Sequence, residues 1–218
     1  MPDATDRDAP SPGLRAAFRI PMVRVVMPAT VVIALGLGTL FSTEIVFVRD
    51  AIGAANAEFG VMVVLFGVGA GGGLVVLRWL SDVPALTKVR WATAAQGTTI
   101  AVMSISPSIG PVFLGALAFG AATAVALATG MSALQDRLEG ADRDLAFAAF
   151  HTTIRGGLAF SAVAAGAAAD VFDRVDFPGV GHVSSARVVL LCAGLIVIAG
   201  STMVRSNEEV RSDGFDRH

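Results

Sequence analysis

Four polar side chains interrupt otherwise apolar stretches of the 218-residue sequence, and their types are those that do chemistry: Glu44, Gln96, His151 and Arg155. A carboxyl group can carry a proton, and a guanidinium can hold an anion or a carboxylate. An ionisable group left facing lipid at mid-span costs at least about 2.5–3.5 kcal/mol, so Glu44 and Arg155 are expected to face protein or water. Glu44 stands one turn, about 5.4 Å, before Arg49. It reads either as a proton or cation-substrate site, or as a carboxylate solvated near the outer headgroups or paired with Arg49. His151 and Arg155 are four apart and share a helix face, with Thr152 beside them. Counted from Ala146, Arg155 lies roughly 13 Å into its helix, where snorkelling is strained. It reads as a side chain facing protein or water, or as one reaching the headgroups and Asp144. His151 is a proton relay or a hydrogen-bonded helix residue, and Gln96 a cavity donor or an interhelical hydrogen bond.

The elements that must position these residues are helices of a membrane protein. At 54% hydrophobic, 16% charged and a mean hydropathy of +0.70, the chain is too apolar for an ordinary soluble domain. No basic excess or nucleic-acid motif is present, so nucleic acid is not an expected partner. Cys192 is the only cysteine, so no intramolecular disulfide forms. The three histidines, His151, His182 and His218, are scattered. No catalytic constellation, metal site or cofactor motif emerges, and an enzyme is not expected. One Lys against fifteen Arg, with abundant Ala, Val and Gly, fits a GC-rich bacterial genome.

Residues 1–12 are polar and Pro-rich and read as a cytoplasmic tail without secondary structure. Residues 13–24 read as an amphipathic segment lying in the headgroup layer, which Pro21 redirects into the bilayer. Residues 25–204 hold six apolar blocks, at 25–48, 59–80, 89–106, 110–133, 146–169 and 186–204, each near the ~20 residues that cross ~30 Å of hydrocarbon. The third is weakened by Gln96, Thr98 and Thr99. The sixth is apolar on every face and is expected to meet lipid. Residues 205–218 form a second cytoplasmic tail. With the N-terminus inside, twelve of the sixteen basic residues fall on the cytoplasmic side, three (Arg49, Arg174 and Arg187) outside, and Arg155 within a span.

Gly67, Gly69, Gly71, Gly72 and Gly73 lack the strand and Lys-Ser/Thr ending of a phosphate loop. They read as packing residues instead: Gly69 with Gly73, and Ala162 with Gly166, have the four-residue spacing that brings membrane helices close. Arg78 and Asp82 are four apart at a helix end and are placed to pair. Asp173, Asp176 and His182, in an outer stretch, read as a solvated loop or a weak cation site.

The stretch GVGAGGGLVVLRWLSDVPALTKVRW, a glycine-rich helix running into a short basic loop with one Asp, resembles the loop motif of the C-terminal half of the major facilitator superfamily. VFVRDAIGAANAEFGVMVVLFGVGAGGG is similar to the end of that half's first helix and the start of its second. ALQDRLEGADRDLAFAAFHTTIRGGLAFSAVAAGAAAD is similar to the loop and helix before its last span. Together they cover about 25–205, and the likeness is closest to the siderophore- and drug-exporter branch. The chain departs from the family where Val83, Pro84 and Ala85 follow Asp82 in place of a basic residue and a glycine. It departs again where Phe160 and Ser161 precede Gly166 in place of a Gly-Pro pair.

The resemblance implies an all-α membrane protein of six transmembrane helices, one half of a major facilitator fold. It implies secondary active transport, proton-coupled export of a small amphipathic molecule, with a second six-helix half supplied by a separate chain or another copy. Glu44, His151, Arg155 and Gln96 would line the substrate or proton pathway. Arg78, Asp82, Lys88 and Arg90 would form the conformational loop. The alternative is a non-transporting truncated or regulatory membrane subunit that pairs with a full-length relative.

Overall fold

Long runs of Ala, Val, Leu and Gly can satisfy their backbone groups away from water only by closing i to i+4 hydrogen bonds along the run, and so they wind into helices. A computed structural model describes residues 14–53, 55–173 and 184–204, and every regular element in it is helical. In chain order these are α1 (Leu14–Ala17), α2 (Pro21–Val46), α3 (Asn56–Trp79), α4 (Ala85–Ile105), α5 (Ile109–Gln135), α6 (Gly140–Asp173) and α7 (Ser185–Ser201). A wider π turn, Phe47–Ala51, extends α2. Pro21 sits in the first turn of α2, where its missing N–H costs nothing. The Glu58 carboxylate accepts a 2.7 Å hydrogen bond from the Ala55 N–H at the start of α3.

Among the described residues, four helical stretches are long and apolar enough to cross a membrane: Pro21–Ala51, Ala57–Trp79, Ile109–Gln135 and Gly140–Asp173. The 17 residues of α7 are apolar but reach only about 25 Å. The 21 residues of α4 are the least apolar, for an identifiable reason. Thr98 is exposed and Thr99 half-buried, and they return their hydroxyls to the carbonyls of Ala94 and Ala95, at 2.9 and 2.7 Å, so their polarity is met within the helix.

The structure differs from the expected layout in three places. Of residues 13–24 only one turn, α1, is a separate helix; its Ala17 is buried with Val23, Ala146 and Phe150, so the segment docks on the ends of α2 and α6. The fifth block is longer than its expected 146–169, beginning at Gly140 and ending at Asp173. The sixth block, expected to meet lipid, exposes Leu195 and Ile196 but also packs inward, with α7 burying Val189, Leu190, Gly194, Val197 and Gly200. Uniform hydropathy conceals a face of small residues. Instead α3 and α6 are the outlying helices, with 17% and 11% of their most apolar windows buried. The expected tails at 1–12 and 205–218 lie outside the described residues, as do Arg174, Asp176, His182 and His218.

Glycines set the helix spacing. A Cβ at Gly69, Gly73 or Gly120 would overlap the backbone of Leu117, Ala121 or Phe66, which fixes α3 against α5 with both chains running the same way. Gly38 against the backbone of Leu158 and Gly157 against the Ala34 methyl set α2 on α6, again in parallel register. Gly97 and Gly194 face each other across the antiparallel α4 and α7, where a Cβ at Gly97 would stand 2.7 Å from the Gly194 carbonyl oxygen. The most extensive contacts are α3 with α5, α4 with α7, α2 with α6, α4 with α5 and α2 with α7. Exchanging α2, α3 and α4 for α5, α6 and α7 maps this set onto itself. Because three successive antiparallel helices end on the side opposite to their start, the exchange also inverts direction. The packing is therefore that of two inverted three-helix units.

Substituting Gly69 with Val is expected to push α3 off α5 and cost about 1–3 kcal/mol, read as a lower unfolding temperature in detergent. The same change at Gly71, where a Cβ meets open space, leaves that temperature unchanged.

Candidate functional site

Glu44 lies on the face of α2 that also carries Leu40 and Val48, one turn to either side, and both of these belong to the apolar cluster at the C-terminal end of α2. Only 4% of its surface is exposed. Arg49 is exposed on the π turn and does not pair with it.

Gln96 is completely buried at the middle of the bundle. Its amide nitrogen donates to the Thr123 hydroxyl at 3.1 Å and, more weakly, to the Ile33 carbonyl at 3.4 Å, which ties α4 to α5 and α2. Its carbonyl oxygen has no partner among the described residues, and neither does the buried Thr129 hydroxyl. Gln96 also packs against Gly36, where a Cβ would lie 3.5 Å from its amide carbon.

His151 and Arg155 are both exposed on α6. The edge of the His151 ring lies 6.0 Å, centroid to centroid, from Phe150. The neighbouring Thr153 donates to the Met27 sulfur at 3.4 Å, and Gly157 abuts Ala34, so Arg155 sits level with about the tenth residue of α2. That is roughly 20 Å below Glu44 along the helix axis. The structure brings Gln96 into contact with α2 but leaves Glu44, Gln96 and the His151–Arg155 pair at three separate levels. No three of the His, Cys, Asp and Glu side chains converge among the described residues.

In the loop after α3, Asp82 accepts a 3.2 Å hydrogen bond from the Ser81 hydroxyl. Arg78, Asp82 and Arg90 are exposed, and Lys88 is half-buried. Gly69 and Gly73 lie in the α3–α5 contact described above. Ala162 is half-buried, but a Cβ at Gly166 meets open space, so that pair brings no second helix close within this chain. Gly166 lies on the face of α6 turned away from α2.

Local sequence reading used Arg187 only in the charge count, whereas the structure makes it the keystone of the end formed by the C-termini of α4 and the π turn. From the first turn of α7 its guanidinium donates to the carbonyls of Ser104 and Ser106 at 2.8 and 2.7 Å, and to that of Ala51 at 3.0 Å. It also stacks 5.4 Å over the Phe47 ring. One cation thus caps the carbonyl ends of α4 and of the π turn, complementing both helix dipoles. The only sequence signal was a single basic residue opening an apolar run. Its partners lie 81 to 136 residues away.

No family model matches this sequence, and a search of curated proteins finds no detectable relative.

Replacing Arg187 with Ala leaves three helix-end carbonyls without their donor. Charged hydrogen bonds contribute about 1.5–3 kcal/mol each, so a clear fall in unfolding temperature is expected. Lys at 187 should restore only part of it, because an ammonium cannot reproduce the fork.

Proposed function

We propose that this chain is one six-helix half of a secondary active transporter of the major facilitator type, embedded in a bacterial cell membrane with both termini cytoplasmic. The observation that carries this reading is Arg155. It lies exposed at mid-depth on α6, the least buried of the long helices, where a guanidinium facing lipid is costly. A counterpart bundle on that face, a separate chain or a second copy, supplies a carboxylate or an aqueous pathway and removes the penalty. Two inverted three-helix units are the internal organisation expected of such a half, which supports the same reading.

In this scheme the two bundles rock about a site between them and carry a small amphipathic molecule outward against proton entry. Glu44, a carboxyl group buried among apolar side chains, carries the proton. His151 and Arg155 face the pathway or the partner half. Gln96 holds the three central helices together, and the loop bearing Arg78, Asp82, Lys88 and Arg90 moves with the rocking bundle.

The test is transport of a cationic amphipathic dye by proteoliposomes holding the complete assembly under an imposed proton gradient. Glu44→Gln is expected to abolish gradient-driven movement without changing the mass of the detergent-extracted assembly. Arg155→Ala is expected to shift that mass toward the 22.3 kDa monomer. Undiminished dye movement in both variants, or a monomer in the unaltered protein, would contradict the proposal.

A further inference from the structure

The inverted arrangement leaves two lateral grooves. One, of about 390 Å³, opens between α6 and α7 on α2 and is lined by apolar groups, small residues, and the Thr39 and Ser161 hydroxyls, with no charged side chain. Its counterpart, of about 610 Å³, opens between α3 and α4 on α5 and differs in one respect. Its floor is Ala95, Ala118, Ala121 and Val125, but at the loop end it carries Lys88 and Trp91. No carboxylate lines it, and Asp82, the nearest acidic residue in sequence, is engaged by Ser81.

We propose that this groove binds an anionic phospholipid of the cytoplasmic leaflet, with one acyl chain along the alanine floor and its phosphate on Lys88. Charge selects the occupant. An uncharged groove of this shape takes any chain, whereas a half-buried ammonium at the mouth of an apolar slot favours a lipid that combines a chain with a net negative headgroup. Trp91, 70% exposed within the groove, and Trp79, 80% exposed at the same end of α3, mark the depth at which headgroup meets hydrocarbon. The inference rests on the membrane placement proposed above and is independent of transport.

The chain has two tryptophans, so Trp79→Phe leaves Trp91 as sole reporter at the groove. In bilayers of phosphatidylcholine doped with lipid brominated on its acyl chains, Trp91 should be half-quenched at about a fivefold lower mole fraction of phosphatidylglycerol than of phosphatidylcholine. Adding Lys88→Gln should erase that difference, while Arg137→Gln, which removes one exposed charge from the α5–α6 loop, should retain it. Equal quenching by the two lipids with Lys88 in place, or a preference that survives Lys88→Gln, overturns the lipid site and leaves membrane placement standing. No quenching by either lipid overturns both.

Discussion

Helices surrounded by hydrocarbon gain nothing by hiding apolar side chains from one another, because lipid tails are as apolar as leucine. What holds them is close contact over many atoms and the hydrogen bonds that closeness allows. The packing of this bundle has that character. Its three tightest crossings, α3 with α5, α2 with α6 and α4 with α7, each occur where a glycine brings backbone against backbone. The crossings are related by the exchange of the two three-helix units, so the internal symmetry is one of backbone approach as well as of topology.

Polar groups are then placed by how completely that scaffold satisfies them. Thr98 and Thr99 are satisfied within their own helix, and Arg187 is satisfied by three carbonyls from two other segments. Gln96 is half satisfied at the central crossing. Glu44 is buried among apolar side chains, and Arg155 is exposed near the middle of α6. The satisfied groups account for the stability of the bundle. Glu44 and Arg155 are local conflicts with the surrounding packing, and the proposed transport function rests on them.

The helical class, the approximate positions of six apolar blocks and the packing role of Gly69 and Gly73 are all encoded locally, in runs and four-residue spacings. Which blocks lie inside the bundle is not. The block apolar on every face, α7, nonetheless buries Val189, Gly194 and Val197, and the glycine-rich α3 is peripheral, because burial depends on which small residues find a partner. The site was legible only as candidates. The isolation of Glu44 and Arg155 in apolar sequence marked them as costly, but their separation by about four helical turns depends on the parallel register of α2 and α6. Arg187 escaped notice because a cap across 136 residues leaves no periodic trace.

The inverted three-helix organisation requires that α4, too polar to be picked out by composition, nonetheless crosses the bilayer. With Cys192 replaced by Ala, single cysteines at Asp82, before α4, and at Ser108, after it, can be labelled in intact cells with a membrane-impermeant maleimide. Both positions are exposed. Labelling at position 108 but not at 82, with 82 reacting only after the cells are opened, is the predicted result. Equal labelling of both positions from one side would mean that α4 does not span, and the inverted arrangement in the membrane would be wrong.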